Sequence, residues 1–272
     1  MTSAGRLIRL SRLIPDRRSV LVPFDDALIS GPYGGLVDTV VRAGEVADGG
    51  ANAIMGFRAL HDRCSARGLF VPFVLNLTAS TVLSSHTRKT VVGSVEAAVR
   101  AGCDGVAVHV NVTDGREGEM LGTLGAVSDA CQQWNMPLLA IMYPRRVHRD
   151  GTDDNYLELK ATNRDGYARL VRHAVRIAVE LGADIVKTQY TGDPESFATV
   201  VEVSLGVPVV IAGGPRTSVR QALDNAYGAM SAGAAGVCFG RQTYHRTDVT
   251  GFVRKLCLVV RDQRDPMDLV SA

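Results

Sequence analysis

One lysine in the sequence lies within an apolar run, where burial could make its amine reactive. Lys187 occupies the middle of residues 184–190 (DIVKTQY), an apolar run typical of a buried strand. The chain has four lysines against 26 arginines, so lysine is not its usual surface cation. A buried lysine can lose its proton, and the neutral amine can attack a carbonyl carbon to form a Schiff base. The alternative is a structural lysine whose ammonium group reaches water at the end of the strand.

A tyrosine and an aspartate end two other apolar runs and could move the protons that this chemistry requires. Tyr143 ends the run PLLAIMY, and Asp25 lies at the end of SVLVPFDD. A phenol and a carboxylate can transfer protons at the carbinolamine and at the carbon beside the iminium. We therefore expect Lys187, Tyr143 and Asp25 to be catalytic, with burial lowering the pKa of the lysine. The alternatives are a packed tyrosine with a solvated hydroxyl and an Asp25-Asp26 pair that caps a helix.

Glycine-containing turns follow the last two apolar runs and could hold an anion. Gly213 and Gly214 end one run, and Gly240 and Arg241 lie at the end of the other. In barrels of eight parallel strands, phosphate is often bound by the loops after strands 7 and 8. Glycines let backbone N–H groups approach an anion, and arginine binds two phosphate oxygens at once. The pattern predicts a phosphate site; the alternative is that the glycines only turn the chain.

Two further polar residues are predicted to contact the substrate, and no metal is expected. Asp26 follows the catalytic aspartate, and His109 lies within the apolar run GVAVHVNV. For His109 the alternative is a hydrogen-bonded position in the core. The six histidines show no HxH or HExxH spacing and the five cysteines no CxxC, so the sequence predicts a metal-independent enzyme without a cofactor.

The elements that must position these residues are eight short apolar runs that alternate with helical patterns. Continuously apolar runs indicate parallel strands buried on both faces. Eight strand–helix units predict a single-domain α/β protein, a (β/α)8 TIM barrel over residues 1–272. The alternative is a doubly wound open sheet. The predicted strands are 19–26, 51–57, 72–78, 105–112, 137–143, 184–190, 208–214 and 236–242, and the predicted helices are 37–48, a short one in 58–67, 91–101, 117–134, 165–181, 194–205, 218–232 and 248–262.

Glycines that precede strands 2, 4, 6 and 8 repeat one pattern. Gly50, Gly102, Gly182 and Gly233 are each followed by a small residue, a small or polar residue and a strand. A glycine at this place closes a helix in the left-handed conformation. The repeat supports a barrel built from pairs of strand–helix units.

Two segments fall outside the strand–helix units. Residues 1–18 are basic and weakly helical, and we expect them to cap one end of the fold. Residues 145–163 follow the fifth strand and are rich in charge and turn residues, so they read as a loop or lid at the catalytic end, with a surface excursion as the alternative.

The composition is that of a soluble globular protein. Hydrophobic residues make up 46% of the chain and charged residues 21%, and the formal net charge is +2. This small charge favours neither nucleic acid nor a membrane surface as a partner. Five cysteines without a close pair fit reduced thiols in a cytoplasmic protein. The expected partner is a phosphorylated small molecule.

Motifs spread across nearly the whole chain match one family. They are VLVPFD (20–25), GP (31–32), GGANA (49–53), VHVNV (108–112), WNMPLLAIMYPR (134–145), LGADIVKTQYTGD (181–193), AGGP (212–215) and AGAAGVCFGR (232–241). The sequence resembles the archaeal-type class I aldolases, the group of fructose-bisphosphate aldolase and 2-amino-3,7-dideoxy-threo-hept-6-ulosonate synthase. The resemblance implies a (β/α)8 barrel and a homo-oligomer. It makes Lys187 the Schiff-base lysine, Tyr143 the general acid/base and Asp25 its acidic partner. Residues 213–214 and Arg241 would hold phosphate.

The sequence departs from the family at one position in the first active-site motif. The family usually has Asp-His-Gly after strand 1, where this chain has Asp25-Asp26-Ala27. A carboxylate in place of a histidine suits an acceptor that bears an amine. The chain is therefore similar to a branch from aminohydroxybenzoate biosynthesis, in which glycerone phosphate (dihydroxyacetone phosphate) is joined to aspartate 4-semialdehyde to give a seven-carbon, nitrogen-bearing precursor. The alternatives are the heptulosonate synthase, fructose-bisphosphate aldolase and a non-catalytic barrel that binds sugar phosphates.

Overall fold

A closed barrel of eight parallel strands forms the centre of the protein. The computed structural model describes residues 3–84, 86–148 and 150–270. The strands are β1 (Ser19–Pro23), β2 (Ala53–Gly56), β3 (Phe73–Asn76), β4 (Gly105–Val112), β5 (Leu138–Pro144), β6 (Ile185–Gln189), β7 (Val209–Ala212) and β8 (Gly236–Cys238). Each strand pairs with its neighbours in sequence, and β1 also pairs with β8, which closes the ring. The predicted barrel is confirmed, and the open sheet is excluded.

The closing contact between β1 and β8 depends on a glycine. Gly236 has a φ of 140°, and a Cβ atom at this position would lie 1.9 Å from the carbonyl oxygen of Ser19. A larger residue would separate the two strands that seal the barrel. Backbone conformation also explains the glycine repeat before alternate strands. Gly50, Gly102, Gly182 and Gly233 all have positive φ angles of 80–91°, which glycine adopts without strain.

Helices follow the strands around the outside of the barrel. They are α1 (Ala4–Leu13), α2 (Asp26–Ile29), α3 (Thr39–Asp48), α4 (Arg58–Ala66), α5 (Val95–Ala101), α6 (Glu117–Trp134), α7 (Leu157–Thr162), α8 (Arg164–Glu180), α9 (Pro194–Glu202), α10 (Val219–Ser231), α11 (Arg241–Tyr244), α12 (Val249–Asp262) and α13 (Pro266–Val270), with 3-10 turns at Pro15–Arg17 and Gly34–Leu36. Every predicted helix is present. Among the described residues, no helix is both long and apolar enough to span a membrane.

The largest errors in the predicted elements lie at two boundaries. The helix predicted at 91–101 begins only at Val95, because Thr90–Val91 pairs as a short antiparallel strand with Thr78–Ala79 and Ser94 caps the helix. The strand predicted at 236–242 ends at Cys238, and α11 begins three residues later. Both errors occur where a strand ends and a loop takes over, since local apolar runs do not mark that point.

Alternate residues of each strand face two different apolar layers. Val20, Val22 and Val186 pack outward with the helices, whereas Leu21 and Ile185 fill the barrel interior. Burial on both faces explains why the strands read as continuous apolar runs. Because side chains alternate along a strand, the residue two places after Ile185 also faces inward, and that residue is the lysine of β6.

The N-terminal segment packs at the amino ends of the strands. Leu13 and Ile14 join the apolar cluster inside the barrel. Arg6 donates hydrogen bonds of 2.9 Å and 2.6 Å to Asp184, which immediately precedes β6. These contacts cover one mouth of the barrel, so the opposite mouth, at the carboxyl ends, is the one available to a ligand. Residues 1–2 of the predicted cap lie outside the described residues.

The segment after β5 folds into a short ribbon and a helix at the carboxyl ends. Arg146–Val147 pairs with Asp153–Asp154, and α7 follows. The hydroxyl of Tyr156 donates a 2.9 Å hydrogen bond to Thr113 Oγ1 in the loop after β4. The segment is thus tied to the loop after the neighbouring strand β4. Residue 149 lies outside the described residues.

Candidate active site

A cavity of about 440 Å³ opens at the carboxyl ends of the barrel strands. Its size suits a small molecule of several carbons with a phosphate group. The nine residues predicted as catalytic or substrate-binding all line it: Asp25, Asp26, His109, Tyr143, Lys187, Gly213, Gly214, Gly240 and Arg241. The structure therefore brings together side chains that are as far as 216 positions apart in the chain, since 241 − 25 = 216.

Lys187 lies in the wall of this cavity and is only 5% exposed. β6 runs between β5 and β7, with Lys187 in register with Ile141 and Val210. The amine lies close enough to the Tyr143 hydroxyl and to the Cys238 thiol on β8 for its charge to oppose the rise that burial causes in the pKa of both groups. Lys187 thus points into the barrel interior and not toward the outer helices, which is the orientation that Schiff-base chemistry requires.

Two opposing effects set the proton affinity of Lys187. Burial lowers the pKa of the ammonium group, while the anionic forms of Cys238, Tyr143 and Asp25 attract its positive charge and raise the pKa. The attraction prevails, and the pKa of Lys187 is raised above its ordinary value. The predicted lowering is therefore wrong, because the sequence did not reveal how many acidic groups face the amine.

Burial also disfavours charge on the acidic partners of the lysine. It raises the pKa of the Asp25 carboxyl, and Lys187 only partly offsets this. Burial likewise raises the pKa of the Tyr143 phenol and of the Cys238 thiol. Of these three groups the carboxyl has the lowest ordinary pKa, so Asp25 is the acidic neighbour that exchanges a proton with the lysine most readily.

His109 supports the tyrosine from the neighbouring strand. Its ring meets the Tyr143 ring edge to face, with centroids 4.9 Å apart. Asn111 donates from Nδ2 to the Thr87 carbonyl, so its Oδ1 accepts the 3.1 Å hydrogen bond from His109 Nε2. Burial, with Lys89 and other cations, lowers the pKa of His109 well below its usual value. The residue is neutral and hydrogen-bonded, and it also lines the cavity.

The two glycine turns come together as the sequence predicted for a phosphate site. A Cβ atom on Gly213 would lie 2.8 Å from Gln242 Cγ, and one on Gly240 would lie 2.9 Å from the Pro23 carbonyl oxygen. Gln242 Nε2 donates to the carbonyl oxygens of Gly213 at 3.0 Å and Pro215 at 2.5 Å. Glycine is required for this close packing, and Gln242, which the sequence did not single out, ties the two turns together.

Asp26 lies beside the predicted phosphate arginine. Its Oδ2 accepts a 2.6 Å hydrogen bond from the Tyr244 hydroxyl and lies 3.6 Å from Arg241 Nε. These two contacts hold the Asp26 side chain in the mouth of the cavity. A residue that only contacts substrate would have no such partners within the protein. A phosphate bound to Arg241 would share the guanidinium group with Asp26.

Sequence reasoning missed further residues of the cavity wall. Lys89, Lys160 and Tyr167 line it, as do Cys238 and Tyr244. Three of the chain's four lysines therefore face one cavity. The scarcity of lysine in this arginine-rich chain is a signal that marks all three.

Residues of the segment 145–163 form part of the same wall. Arg145, Asn155, Leu157 and Lys160 line the cavity. Lys160 Nζ donates a 2.6 Å hydrogen bond to the Tyr190 carbonyl and lies 5.6 Å from the centre of the Tyr167 ring. Within the described ranges, no three His, Cys, Asp or Glu side chains are grouped as metal ligands.

Comparison with known families agrees with this geometry. Residues 19–246 match the family described as DeoC/LacD family aldolase. The chain belongs to this aldolase family. It is an enzyme of the class I type, in which a lysine forms an imine with the substrate and no metal is needed. The predicted family and reaction class are confirmed, and a non-catalytic barrel loses its support.

Relatives of this aldolase include heptulosonate-type synthases. It is 36% identical to 2-amino-3,7-dideoxy-D-threo-hept-6-ulosonate synthase of Halobacterium salinarum, over 98% of this chain and 95% of that protein. It is also 36% identical to 2-amino-4,5-dihydroxy-6-oxo-7-(phosphonooxy)heptanoate synthase of Streptomyces griseus, over 92% of this chain and 87% of that protein.

Solved structures of archaeal fructose-1,6-bisphosphate aldolases share the fold. One covers 94% of this aldolase and 98% of its own chain, with a TM-score of 0.80 and 27% identity. Another, at 26% identity and the same TM-score, has its catalytic lysine covalently bound to the carbinolamine intermediate of the substrate and covers 94% of this chain and 99% of its own.

Proposed function

We propose that this aldolase joins glycerone phosphate to aspartate 4-semialdehyde through an imine on Lys187. The observation that carries the proposal is the position of the Lys187 amine: it is buried in the barrel interior, beside Tyr143 and Asp25, in a cavity that also holds the glycine turns and Arg241. An enzyme that binds a phosphorylated ketone needs both the amine and the anion site within one cavity.

The product names of the two synthases support the acceptor. In 2-amino-4,5-dihydroxy-6-oxo-7-(phosphonooxy)heptanoate, the bond that an aldol reaction forms joins carbon 4, which bears a hydroxyl, to carbon 5, next to the ketone. Breaking that bond gives a three-carbon ketone phosphate and a four-carbon amino acid aldehyde, which are glycerone phosphate and aspartate 4-semialdehyde. Such a product is a seven-carbon, nitrogen-bearing compound of the kind from which an aminohydroxybenzoate is built.

The two synthases differ at the donor. The same reasoning applied to 2-amino-3,7-dideoxy-hept-6-ulosonate gives the same four-carbon amino aldehyde, but carbon 7 carries no oxygen. A donor with a phosphate group on that carbon needs an anion site near the lysine. The glycine turns at Gly213 and Gly240, together with Arg241, support the phosphorylated donor.

The first steps use the pair formed by Lys187 and Asp25. Burial raises the pKa of the Asp25 carboxyl, so Asp25 can accept the ammonium proton of Lys187 even though the surrounding acidic groups raise the pKa of the lysine. The transfer leaves two neutral groups and a free lone pair on the amine. The amine attacks the ketone carbon of glycerone phosphate to give a carbinolamine. Tyr143 then protonates the carbinolamine hydroxyl, water leaves, and the nitrogen lone pair forms the iminium bond.

The charge of the iminium and the proton transfers of Tyr143 then act together while the carbon–carbon bond forms. Burial raises the pKa of the Tyr143 phenol, and the positive charge at Lys187 opposes this rise. The iminium charge therefore stabilises the phenolate while it removes a proton from the carbon beside the iminium. The resulting enamine attacks the aldehyde carbon, and Tyr143 returns the proton to the new alkoxide. Addition of water releases the product and restores the amine.

We infer that residues 145–163 close over the bound substrates. Arg145, Leu157 and Lys160 already line the cavity, and the Tyr156–Thr113 hydrogen bond ties the segment to the neighbouring loop after β4. Such a cover would keep water from the iminium until the carbon–carbon bond has formed.

We further infer a cytoplasmic homo-oligomer. All five cysteines are free and buried, which suits a reducing compartment. Large apolar side chains are exposed at Val37, Phe70 and Leu83, which are 74%, 83% and 93% accessible. Association with further copies would remove these surfaces from water.

An acceptor screen distinguishes the proposed reaction from the alternatives. With glycerone phosphate as donor, we expect kcat/KM for aspartate 4-semialdehyde to exceed that for glyceraldehyde 3-phosphate by about 100-fold. The preferred acceptor pairs with the polar groups of the site, whereas the wrong acceptor leaves some of them buried without a partner. Product formation is followed by mass spectrometry. A preference for the triose phosphate would identify a fructose-bisphosphate aldolase, and a requirement for a dephosphorylated donor would identify the heptulosonate synthase.

Asp26 is expected to influence the two substrates in opposite directions. Because Asp26 shares Arg241 with the phosphate and adds negative charge to the mouth, Asp26→Asn should lower KM for glycerone phosphate about threefold and raise KM for aspartate 4-semialdehyde about threefold. Asp224→Asn, which removes a surface carboxylate paired with Arg220, is the matched control. A rise in the donor KM in Asp26→Asn would contradict this assignment.

A further inference from the structure

A second buried lysine lies in the cavity, away from the strands. Lys89 belongs to the loop after β3, is 6% exposed and lines the cavity. Its Nζ donates a 2.7 Å hydrogen bond to Ser80 Oγ, whose hydroxyl donates in turn to the carbonyl of His86 at 2.6 Å. The loop therefore holds the ammonium group in place with a neutral partner, and the catalytic steps above make no use of it.

The charge of Lys89 is only partly offset. Burial and the charge of Arg145 lower the pKa of Lys89, the carboxylates of Asp25, Asp26 and Asp153 raise it, and the net result is a pKa of about 8. Arg145 donates a 2.9 Å hydrogen bond from Nε to Asp153, so its charge is already matched. One positive charge thus remains to be matched on this side of the cavity, which fits a carboxylate better than a phosphate dianion.

A neighbouring histidine leaves a polar atom without a partner. His86 also lines the cavity, and its Nδ1 is buried without a hydrogen bond to any residue that the structure describes. Burial, with the charges of Arg145 and Lys89, lowers the pKa of His86 to about 4, so the ring is neutral at physiological pH. A buried nitrogen of this kind needs a partner, and a bound polar ligand would supply one.

The order of strands places this cluster opposite the phosphate site. Around the ring, Asp25 after β1 and Lys187 on β6 divide the mouth into two arcs. The shorter arc carries the phosphate turns after β7 and β8. The longer arc carries Lys89 after β3 and Arg145 after β5, so an aldehyde that meets the enamine at Lys187 extends into it.

We propose that Lys89 binds the carboxylate of the acceptor aldehyde, with His86 Nδ1 hydrogen-bonded to the same amino acid. This inference rests on the proposed function. In aspartate 4-semialdehyde the carboxylate lies three carbon–carbon bonds from the aldehyde, so both ends fit within one cavity of about 440 Å³. Lys89 is thus a specificity-determining residue, which selects an acceptor that ends in a carboxylate.

The test compares acceptors in Lys89→Met with glycerone phosphate as donor. We expect kcat/KM for aspartate 4-semialdehyde to fall about 100-fold, because the carboxylate would be buried without a partner. For butanal, which has four carbons and no charge, the change should stay within about threefold, and Lys89→Arg should recover at least about a tenth of the wild-type value because it restores the charge. Borohydride trapping of glycerone phosphate on Lys187 should be unchanged in both variants.

The controls separate the possible failures. Arg88→Gln removes the neighbouring charge, whose guanidinium lies 4.0 Å from Glu119, and it should match the wild type. An equal loss with butanal, or loss of donor trapping, would show that Lys89 has a general role and would overturn the proposal. A loss confined to glyceraldehyde 3-phosphate would assign the subsite to phosphate and overturn it as well. Failure of the wild type to use aspartate 4-semialdehyde would reject the proposed function itself.

Discussion

Lys187→Met is expected to lower kcat by at least about 10⁴-fold, because the amine is the nucleophile and the iminium is the electron sink for every later step. Methionine has a similar length and suits a buried position, so the barrel should fold normally. The variant should still bind glycerone phosphate, since the glycine turns and Arg241 are untouched. Steady-state kinetics with aspartate 4-semialdehyde, together with a thermal melt, provide the measurement.

Lys255→Met is the matched control for this variant. Lys255 lies on α12 outside the cavity, so the same substitution there removes a lysine without touching the site. Activity within a factor of about two of the wild type is expected, as for most surface changes. If Lys187→Met retained more than about a hundredth of the wild-type kcat, a lysine imine at this position would be contradicted.

Tyr143→Phe is expected to lower kcat by about 10²–10³-fold, because the phenol transfers protons at the carbinolamine and at the carbon beside the iminium. KM for glycerone phosphate should change less than about threefold, since the residue is assigned to proton transfer and not to ground-state binding. The ring contact with His109, at 4.9 Å between centroids, is kept by phenylalanine, so packing is preserved.

The control for this second variant is Tyr33→Phe. Tyr33 is 48% exposed and stacks on His245 away from the cavity lining, so loss of its hydroxyl should leave kcat unchanged. A solvent isotope effect on kcat should differ between the wild type and Tyr143→Phe if the phenol moves the proton. Equal values of kcat in wild type and Tyr143→Phe would assign proton transfer to another group.

The barrel was predictable because its strands are buried on both faces. Runs such as those of β4 and β6 are apolar at most positions, and helical patterns separate them, which indicates parallel strands. Strand ends were less predictable. Thr90–Val91 is β-branched and exposed, and only its pairing with Thr78–Ala79 keeps it out of α5.

Within the cavity, the two buried lysines Lys187 and Lys89 differ in how far the sequence predicts them. Lys187 stands out because its strand neighbours are apolar, but Lys89 is buried only after its loop folds against the barrel. The direction of the pKa shift of Lys187 could not be predicted from the sequence either. It depends on Cys238, which is 238 − 187 = 51 positions away in the chain. The contact between Asp26 and Arg241 likewise joins the two ends of the barrel sequence.

Borohydride trapping with peptide mapping tests the role of Lys187 most directly. The enzyme is incubated with glycerone phosphate and reduced, and the modified lysine is located by mass spectrometry after proteolysis. Lys89 is the informative competitor, because its pKa of about 8 makes it the more easily deprotonated amine in the same cavity. We predict one reduced adduct of the donor, on the peptide that contains Lys187. An adduct on Lys89 instead, or no adduct at all, would contradict the assignment of the Schiff base to the lysine of β6.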